Sequence, residues 1–397
     1  MRESFLKLIA YCKKEQYMGW DPYDGLNSKV FQYTPLKKLG FVRLLWIQLF
    51  KRNPINFRPL LLIPKQHNAK GIALFLNAYC NLYKLQEEIL LDLDLSKKEC
   101  LSEIDKLTEL LISLKSVEYS NSSWGYNFAW QARLLFLFPK GTPTVVATSY
   151  AAHALSNVYE ITKNKLILKE IISCGDFILN NLNRTKKKRG FLFSYSPLNG
   201  NNTVYNASLL GSKTLSFCYK YTREEKYKTA AQQSVFACID KQNEDGSWFY
   251  GELDVQNWID SFHTGYNLDA LAYYSINCND DTVKDVISKG LDYYVNNFFL
   301  DDGTPKYYHD NIYPIDIHSP AQLFVTLSTL EKYEEYKDLC NKVMIWTLDN
   351  MQDEEGYFYY QKKKYFTSKI PYMRWSQAFM MNAMSYYLLN NNKGLES

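Results

Sequence analysis

The segment Trp258-Ile259-Asp260-Ser261-Phe262-His263 places a carboxylate three residues before an imidazole. A carboxylate in that position can hold one ring nitrogen and leave the other to take or give a proton. Asp316 and His318 repeat the pairing about 55 residues later. Tyr126 and Tyr195 add phenols that can donate protons, and Arg374 adds a forked cation of the kind that grips a carboxylate. Two carboxylates roughly 5–9 Å apart would hydrolyse a glycosidic bond. A His or Tyr base with a cation beside it would instead remove the proton next to a uronate carboxylate, leading to β-elimination or C5 epimerisation. The catalytic candidates are therefore His263, His318, Asp260, Asp316, Tyr126 and Tyr195.

Each candidate also has a reading without chemistry. Asp260 and Asp316 fit helix N-caps, which stabilise a helix by about 1 kcal/mol. Arg374, in Tyr372-Met373-Arg374-Trp375, fits a buried ion pair as well as a substrate contact. The binding candidates are aromatic faces that can stack on sugars (Trp124, Trp258, Tyr266, Tyr372, Trp375) and polar groups (Asn127, Arg133, Asn206, Gln322, Arg374). His153, inside Ala151-Ala152-His153-Ala154-Leu155, reads as a core residue, and Lys186–Arg189 as a solvated turn.

These residues sit at fixed places in a repeat. Loops of glycine and aromatics carry Gly190, Gly246, Gly303 and Gly356, spaced 56, 57 and 53 apart, with Trp124-Gly125-Tyr126-Asn127 as an earlier member. After each loop comes a small-residue helix. The spacing predicts helices starting near Val145, Asn206, Ser261, Ser319 and Arg374, and a sixth at Gly71–Cys80. They are poor in charge near their starts, as buried helices are. Between them, segments 95–116, 161–182, 224–242, 280–299 and 333–352 carry amphipathic patterns, and Leu39–Phe50 is assigned as the sixth. Six inner and six outer helices predict an all-α fold, an (α/α)6 toroid. An open solenoid would need polar caps at both ends. The last helix, Met373–Leu389, is apolar on most faces, so closure is expected. The division expected is residues 1–38 as an N-terminal arm and 39–397 as a single toroid domain. In such a ring all inner helices point their positive ends at one mouth, beside the aromatic loops.

Composition narrows the class. Net charge is +4 over 397 residues, too little to suggest nucleic acid. Residues 1–70 hold thirteen Lys and Arg against four acids, a net of +9, which suits an anionic substrate or peripheral contact with an anionic membrane. No uncharged apolar run is long enough to span a bilayer, and the first residues lack a secretory leader's apolar stretch. The eight cysteines form no CxxC and have no metal-ligand spacing to His. No metal or cofactor is expected, and phosphate loops, HExxH and GxSxG elements are absent from the sequence. A cytoplasmic protein is expected, of unknown oligomeric state.

Gln242-Asn243-Glu244-Asp245-Gly246-Ser247-Trp248, with a second copy at Gln352–Phe358, resembles the QW repeat of triterpene cyclases. Asp260–Thr264 resembles the zinc-histidine segment of protein prenyltransferase β subunits. Both families are α/α toroids. The cyclases' acid-rich protonation motif is missing here, and the prenyltransferases' Asp-x-Cys ligands are replaced by Tyr205-Asn206-Ala207-Ser208. Over its whole length the chain is more similar to six-hairpin glycosidase-like proteins of bacterial exopolysaccharide and lipopolysaccharide biosynthesis. That resemblance is carried by Gly19–Asn27, Trp124–Asn127, Trp258–Tyr266 and Pro371–Trp375. It implies a glycan context and a toroid. The expected function is a carbohydrate-active enzyme of polysaccharide biosynthesis acting on an oligo- or polysaccharide that bears uronate. A terpenoid- or prenyl-processing enzyme, with a deep apolar cavity, and a non-catalytic glycan-binding scaffold are the alternatives.

Overall fold

A computed structural model describes residues 1–132 and 136–392. Its helices, in chain order, begin with α1 (Arg2–Lys14), α2 (Lys29–Gln32), α3 (Gly40–Arg52), α4 (Ala69–Tyr83), α5 (Glu87–Asp92) and α6 (Lys97–Ser113). They continue with α7 (Val145–Thr162), α8 (Lys165–Asn181), α9 (Tyr205–Thr222), α10 (Glu225–Ile239) and α11 (Ser261–Cys278). The last four are α12 (Lys284–Phe298), α13 (His318–Thr329), α14 (Lys337–Met351) and α15 (Phe379–Asn391), the last preceded by a π-helical segment, Met373–Ala378.

The inner helices close a ring. α4 packs on α7, α7 on α9, α9 on α11, α11 on α13, α13 on α15, and α15 returns to α4. Their sequences explain the position: α4 is buried without interruption from Ala69 to Leu82, because Ala, Gly and Asn let neighbouring helices approach on both sides. Asparagines stitch the closing seam. Asn77 donates to Asn382 at 2.8 Å, and Asn81 to Ser385 at 3.1 Å. The fold is the predicted (α/α)6 toroid.

The outer layer corrects one expectation. α6, α8, α10, α12 and α14 cover the inner ring, but the sixth outer helix is α1, not Leu39–Phe50. The loop glycines show why. Gly190, Gly246 and Gly303 have φ of 74°, 92° and 88°, and each lies against the backbone of the next outer helix, at Gln233, Lys289 and Lys342. A Cβ would come within about 2.6 Å of those atoms, so only glycine fits. Gly356, at φ 96°, lies in the same way against Lys7 of α1. Gln242 donates to Gly246 O and to Val286 O of α12; its repeat partner Gln352 donates to Gly356 O and to Ser4 O of α1. Phe5, Leu8 and Cys12 of α1 are fully buried. α3 instead lies beside the mouth, held by Trp46 Nε1 donating to Gly25 O at 2.9 Å.

The aromatic loops are sewn to the helix starts. The first backbone N–H of an inner helix, or the one just before it, donates to an aromatic carbonyl of the next loop: Val145 to Tyr195, Tyr205 to Tyr250, Ser261 to Tyr307 and Ile317 to Tyr360. Met373 donates to Trp20 O, so the N-terminal segment supplies the equivalent contact for the last repeat. This collar satisfies N–H groups that a helix leaves unpaired and fixes aromatic residues around one opening. Short antiparallel ladders brace it: β1 (Trp130–Gln131) with β2 (Leu137–Phe138), β3 (Arg184–Lys186) with β4 (Phe191–Phe193), and β5 (Ile315–Asp316) with β6 (Gln361–Lys362) and β7 (Thr367–Ser368).

Candidate active site at the mouth of the toroid

Asp260 caps α11. One carboxylate oxygen accepts from the backbone N–H of His263 at 2.9 Å. The other lies 2.7 Å from His263 Nδ1 and accepts from Trp258 Nε1 at 2.9 Å. The cap and the dyad are thus the same residue doing both jobs. With Nδ1–H donated to Asp260, the lone pair of the neutral ring falls on Nε2. His263 keeps 22% of its side-chain surface exposed while the Asp260 side chain has none, so the imidazole faces the opening and its anchor does not. Trp258 stacks on Tyr250 with centroids 4.4 Å apart, and Tyr250 packs 4.7 Å from His263.

The second pair is built differently. Asp316 takes its hydrogen bonds from the His318 backbone N–H, Trp375 Nε1 and Gln361 Nε2, at 3.0, 2.9 and 2.6 Å, and none from the His318 ring. Burial outweighs these donors and pushes its pKa up to about 6. His318 lies flat on Trp375, 4.0 Å away, and neither ring nitrogen has a hydrogen-bond partner at normal distance among the described residues. Burial, then the charges of Lys70 and Arg374, hold its pKa well below the usual imidazole value. Phe262 touches both imidazoles, at 4.5 Å from His263 and 5.1 Å from His318. His318 therefore forms a buried floor next to the open His263.

Opposite them, the Tyr126 and Tyr195 hydroxyls are 3.5 Å apart. Burial raises the pKa of both, so the phenols stay protonated. Trp130, stacked on Phe138 at 4.3 Å, packs edge-on to Tyr195 and continues the wall to Tyr23 and Trp375. Arg374 is not a free anion clamp: Nη2 donates to Asp21 Oδ1 at 2.8 Å and Nε to Oδ2, in a buried bidentate pair. Its guanidinium also faces the Tyr126 and Trp375 rings.

The other candidates are divided between the core and the surroundings of the mouth. Trp124 is fully buried and donates to Leu111 O, so it packs the core. Tyr372 is buried under the Arg58 guanidinium. Gln322 points into the barrel axis and donates to Asp269 at 2.8 Å. Asn206 is buried at the start of α9, its Oδ1 without a hydrogen bond among the described residues. Tyr266 is buried directly beneath the dyad, edge-on to the His263 ring at 5.6 Å and facing Lys70. Asn127 accepts from Asn68 at 2.6 Å and, with Tyr126, borders a cleft of about 640 Å³ whose other walls include Lys65, His67, Lys115 and Lys140. Arg133 lies outside the described residues.

Two lysines were missed. Lys51 Nζ donates to Tyr23 OH at 2.8 Å, with no carboxylate at ion-pair distance among the described residues. Lys70 is 4% exposed, its ammonium enclosed by the rings of Tyr150, Tyr266 and Phe379 at 4.2, 5.1 and 4.9 Å. Burial lowers its pKa well below that of an ordinary lysine. A signal existed for Lys70: it is the sole charge in the otherwise uncharged helix Ala69–Tyr83. For Lys51, in a charged helix end, none did.

The ring of six hairpins is an (α/α)6 toroid, a fold it shares with several solved structures. Residues 140–313 match the model of the Ulvan lyase N-terminal domain. Among solved structures, cellobiose 2-epimerase from Bacillus thermoamylovorans superposes with a TM-score of 0.61 at 13% identity, covering 83% of this chain and 90% of that one. A family 76 glycoside hydrolase α-mannanase from Bacteroides thetaiotaomicron gives 0.58 at 10% identity, covering 83% and 88%. An unsaturated glucuronyl hydrolase specific for heparin gives 0.57 at 13% identity, covering 80% and 85%. No curated protein matches the chain by sequence.

Proposed function

We propose that the protein is a carbohydrate-active enzyme that cleaves a uronate-bearing glycan by β-elimination. The observation that carries this reading is the Asp260–His263 dyad, with Nε2 of an open imidazole available as base. Hydrolysis would call for two available carboxylates. The four around the dyad and Arg374 are engaged: Asp21 with Arg374, Asp24 with Arg58 at 2.7 Å, and Asp260 and Asp316 with three donors each. In the proposed step, His263 Nε2 takes the C5 proton of the uronate. The C5–H electrons form the C4–C5 double bond, the C4–O bond breaks, and a phenol of the Tyr126–Tyr195 pair protonates the leaving oxygen. The Lys51 ammonium faces the developing charge on the carboxylate.

The match to the Ulvan lyase N-terminal domain spans Tyr195, Trp258, Asp260 and His263, which supports this chemistry. The polysaccharide-biosynthesis setting rests on the resemblance of Gly19–Asn27 and Pro371–Trp375, and a reducing, cytoplasmic location on eight free, buried cysteines. The terpenoid alternative needs a deep apolar cavity. The space on the barrel axis is only about 30 Å³, and its lining mixes Leu74, Leu210 and Phe379 with His153, Lys213, Asp269 and Asn382.

The test incubates the purified protein with uronate polysaccharides of differing linkage. Growth of ultraviolet absorbance from the unsaturated uronate, abolished in His263→Ala, supports the reading. New reducing ends without that absorbance would establish hydrolysis instead. Deuterium incorporation at C5 from heavy water, without cleavage, would establish epimerisation.

A further inference from the structure

Among the described residues, nothing covers the outer face of α3. Phe41, Leu45 and Leu49 follow one another at i, i+4 and i+8, and are 61%, 51% and 50% exposed. Leu36 before the helix and Ile55 and Leu60 after it are 47%, 61% and 75% exposed. Single exposed apolar residues are ordinary, but a helix face made of them marks an interaction surface. The opposite face of α3 is fixed to the protein. Ile47 and Phe50 are buried, Trp46 donates to Gly25 O, and Arg43 Nε donates to Gln131 Oε1 at 2.9 Å. The outward face is therefore held rigidly in place.

The charge around this face selects the partner. From Gly25 to Gln86 the chain contains no acidic residue and ten Lys and Arg. Lys37 and Lys38 are exposed just before α3, and Arg52 is exposed at its end. A helix lying in a bilayer interface needs this combination: large apolar side chains on one side and cations at their border. Anionic headgroups attract each such cation over about a Debye length. No helix among the described residues is long and apolar enough to cross a membrane.

We propose that the α3 face docks the protein on an anionic lipid surface. Phe41, Leu45 and Leu49 enter the interface, and Lys37, Lys38 and Arg52 meet the headgroups. The same helix sends Lys51 to Tyr23, so docking brings the toroid's mouth beside the bilayer. This inference does not depend on the reaction assigned to the mouth.

The experiment uses the full chain and sedimentation with two sets of vesicles, phosphatidylcholine alone and phosphatidylcholine mixed with phosphatidylglycerol. The expected result is salt-sensitive binding to the mixed vesicles, at least tenfold weaker on the neutral ones. Phe41→Ser/Leu45→Ser/Leu49→Ser and Lys37→Glu/Lys38→Glu, with unchanged circular dichroism and melting, should each weaken binding about tenfold or more. Equal binding to both vesicle types, or no binding to either, overturns the proposal. So does a wild-type dimer that becomes monomeric in the triple variant without any vesicle binding, since that outcome makes the face an interface between two copies.

Discussion

Oδ2 of Asp260 lies 2.7 Å from Nδ1 of His263 and 2.9 Å from the indole nitrogen of Trp258, so one oxygen orients both side chains. The first prediction concerns this geometry. His263→Ala should lower kcat by about 10²- to 10⁴-fold, the usual range for a lost general base, with little change in melting. Asp260→Asn keeps an oxygen that can cap α11 but offers an N–H to a ring nitrogen that now donates. The ring tautomer should invert and the Trp258 indole N–H loses its acceptor, so kcat should fall more than KM changes, with a melting loss worth about 1–3 kcal/mol. Equal kcat in wild type and His263→Ala would remove His263 from the chemistry.

His318 makes the opposite prediction. Its ring is neutral, flat against Trp375, and both nitrogens are without a normal hydrogen bond among the described residues. Leaving such groups buried costs about 1–3 kcal/mol. His318→Phe removes that cost and keeps an aromatic face on Trp375, at the risk of modest overpacking. Turnover should stay within a few-fold of wild type and the melting temperature should hold or rise. A hundredfold loss of kcat in a folded His318→Phe protein would show that the ring takes part in the reaction.

Arg374 and Asp21 should behave as a structural unit. Removing one partner of a buried ion pair strands the other charge and costs about 3–5 kcal/mol. Arg374→Met or Asp21→Asn alone should therefore lower melting strongly, because the pair joins the N-terminal segment to the π-helical start of the last inner helix. The double variant should recover much of the loss. Thermal melts of the two single variants and the double variant measure this coupling directly. Additive losses would mean that the two groups do not depend on each other.

The ring was legible because its spacing is set by a hard contact. A glycine must meet the next outer helix once per repeat, so Gly190, Gly246, Gly303 and Gly356 keep a period that a reader can measure. Asp260 and His263 were legible for the same reason, since a repeat boundary marks a helix start. The sixth outer helix was misplaced because ring closure joins residues far apart in sequence. Gly356 needs an outer helix, yet the chain after it runs directly into an inner one, so the missing helix had to come from the other end, as α1. Arg374 was ambiguous because its partner Asp21 lies in a loop outside the repeat. Periodicity says nothing about such loops, and it gave no hint of Lys51 beside Tyr23.

The last prediction uses the polar barrel axis. Lys213 is buried, with Nζ 3.3 Å from His153 Nδ1 and 4.2 Å from the Tyr273 ring centre, and burial pushes its pKa down to about 8 from 10.5. The nearby Asp269 carboxyl, pushed up to about 6 by burial, is ionised in this range, but its charge offsets the burial of Lys213 only in part. Between about pH 8 and 10.5 the unfolded chain holds a proton that the folded chain has released. Stability therefore rises with pH across that window, and the full cost, roughly 3 kcal/mol at most, applies below it. Buried tyrosines act in the other direction near pH 10, because burial keeps Tyr273 protonated in the fold while the unfolded chain ionises. The clean comparison is thus the melting temperature at about pH 7.5 and about pH 9.5, in wild type and in Lys213→Met. Wild type should gain stability over this interval relative to the variant. Parallel curves for the two proteins would mean that the Lys213 amine keeps an ordinary pKa inside the barrel.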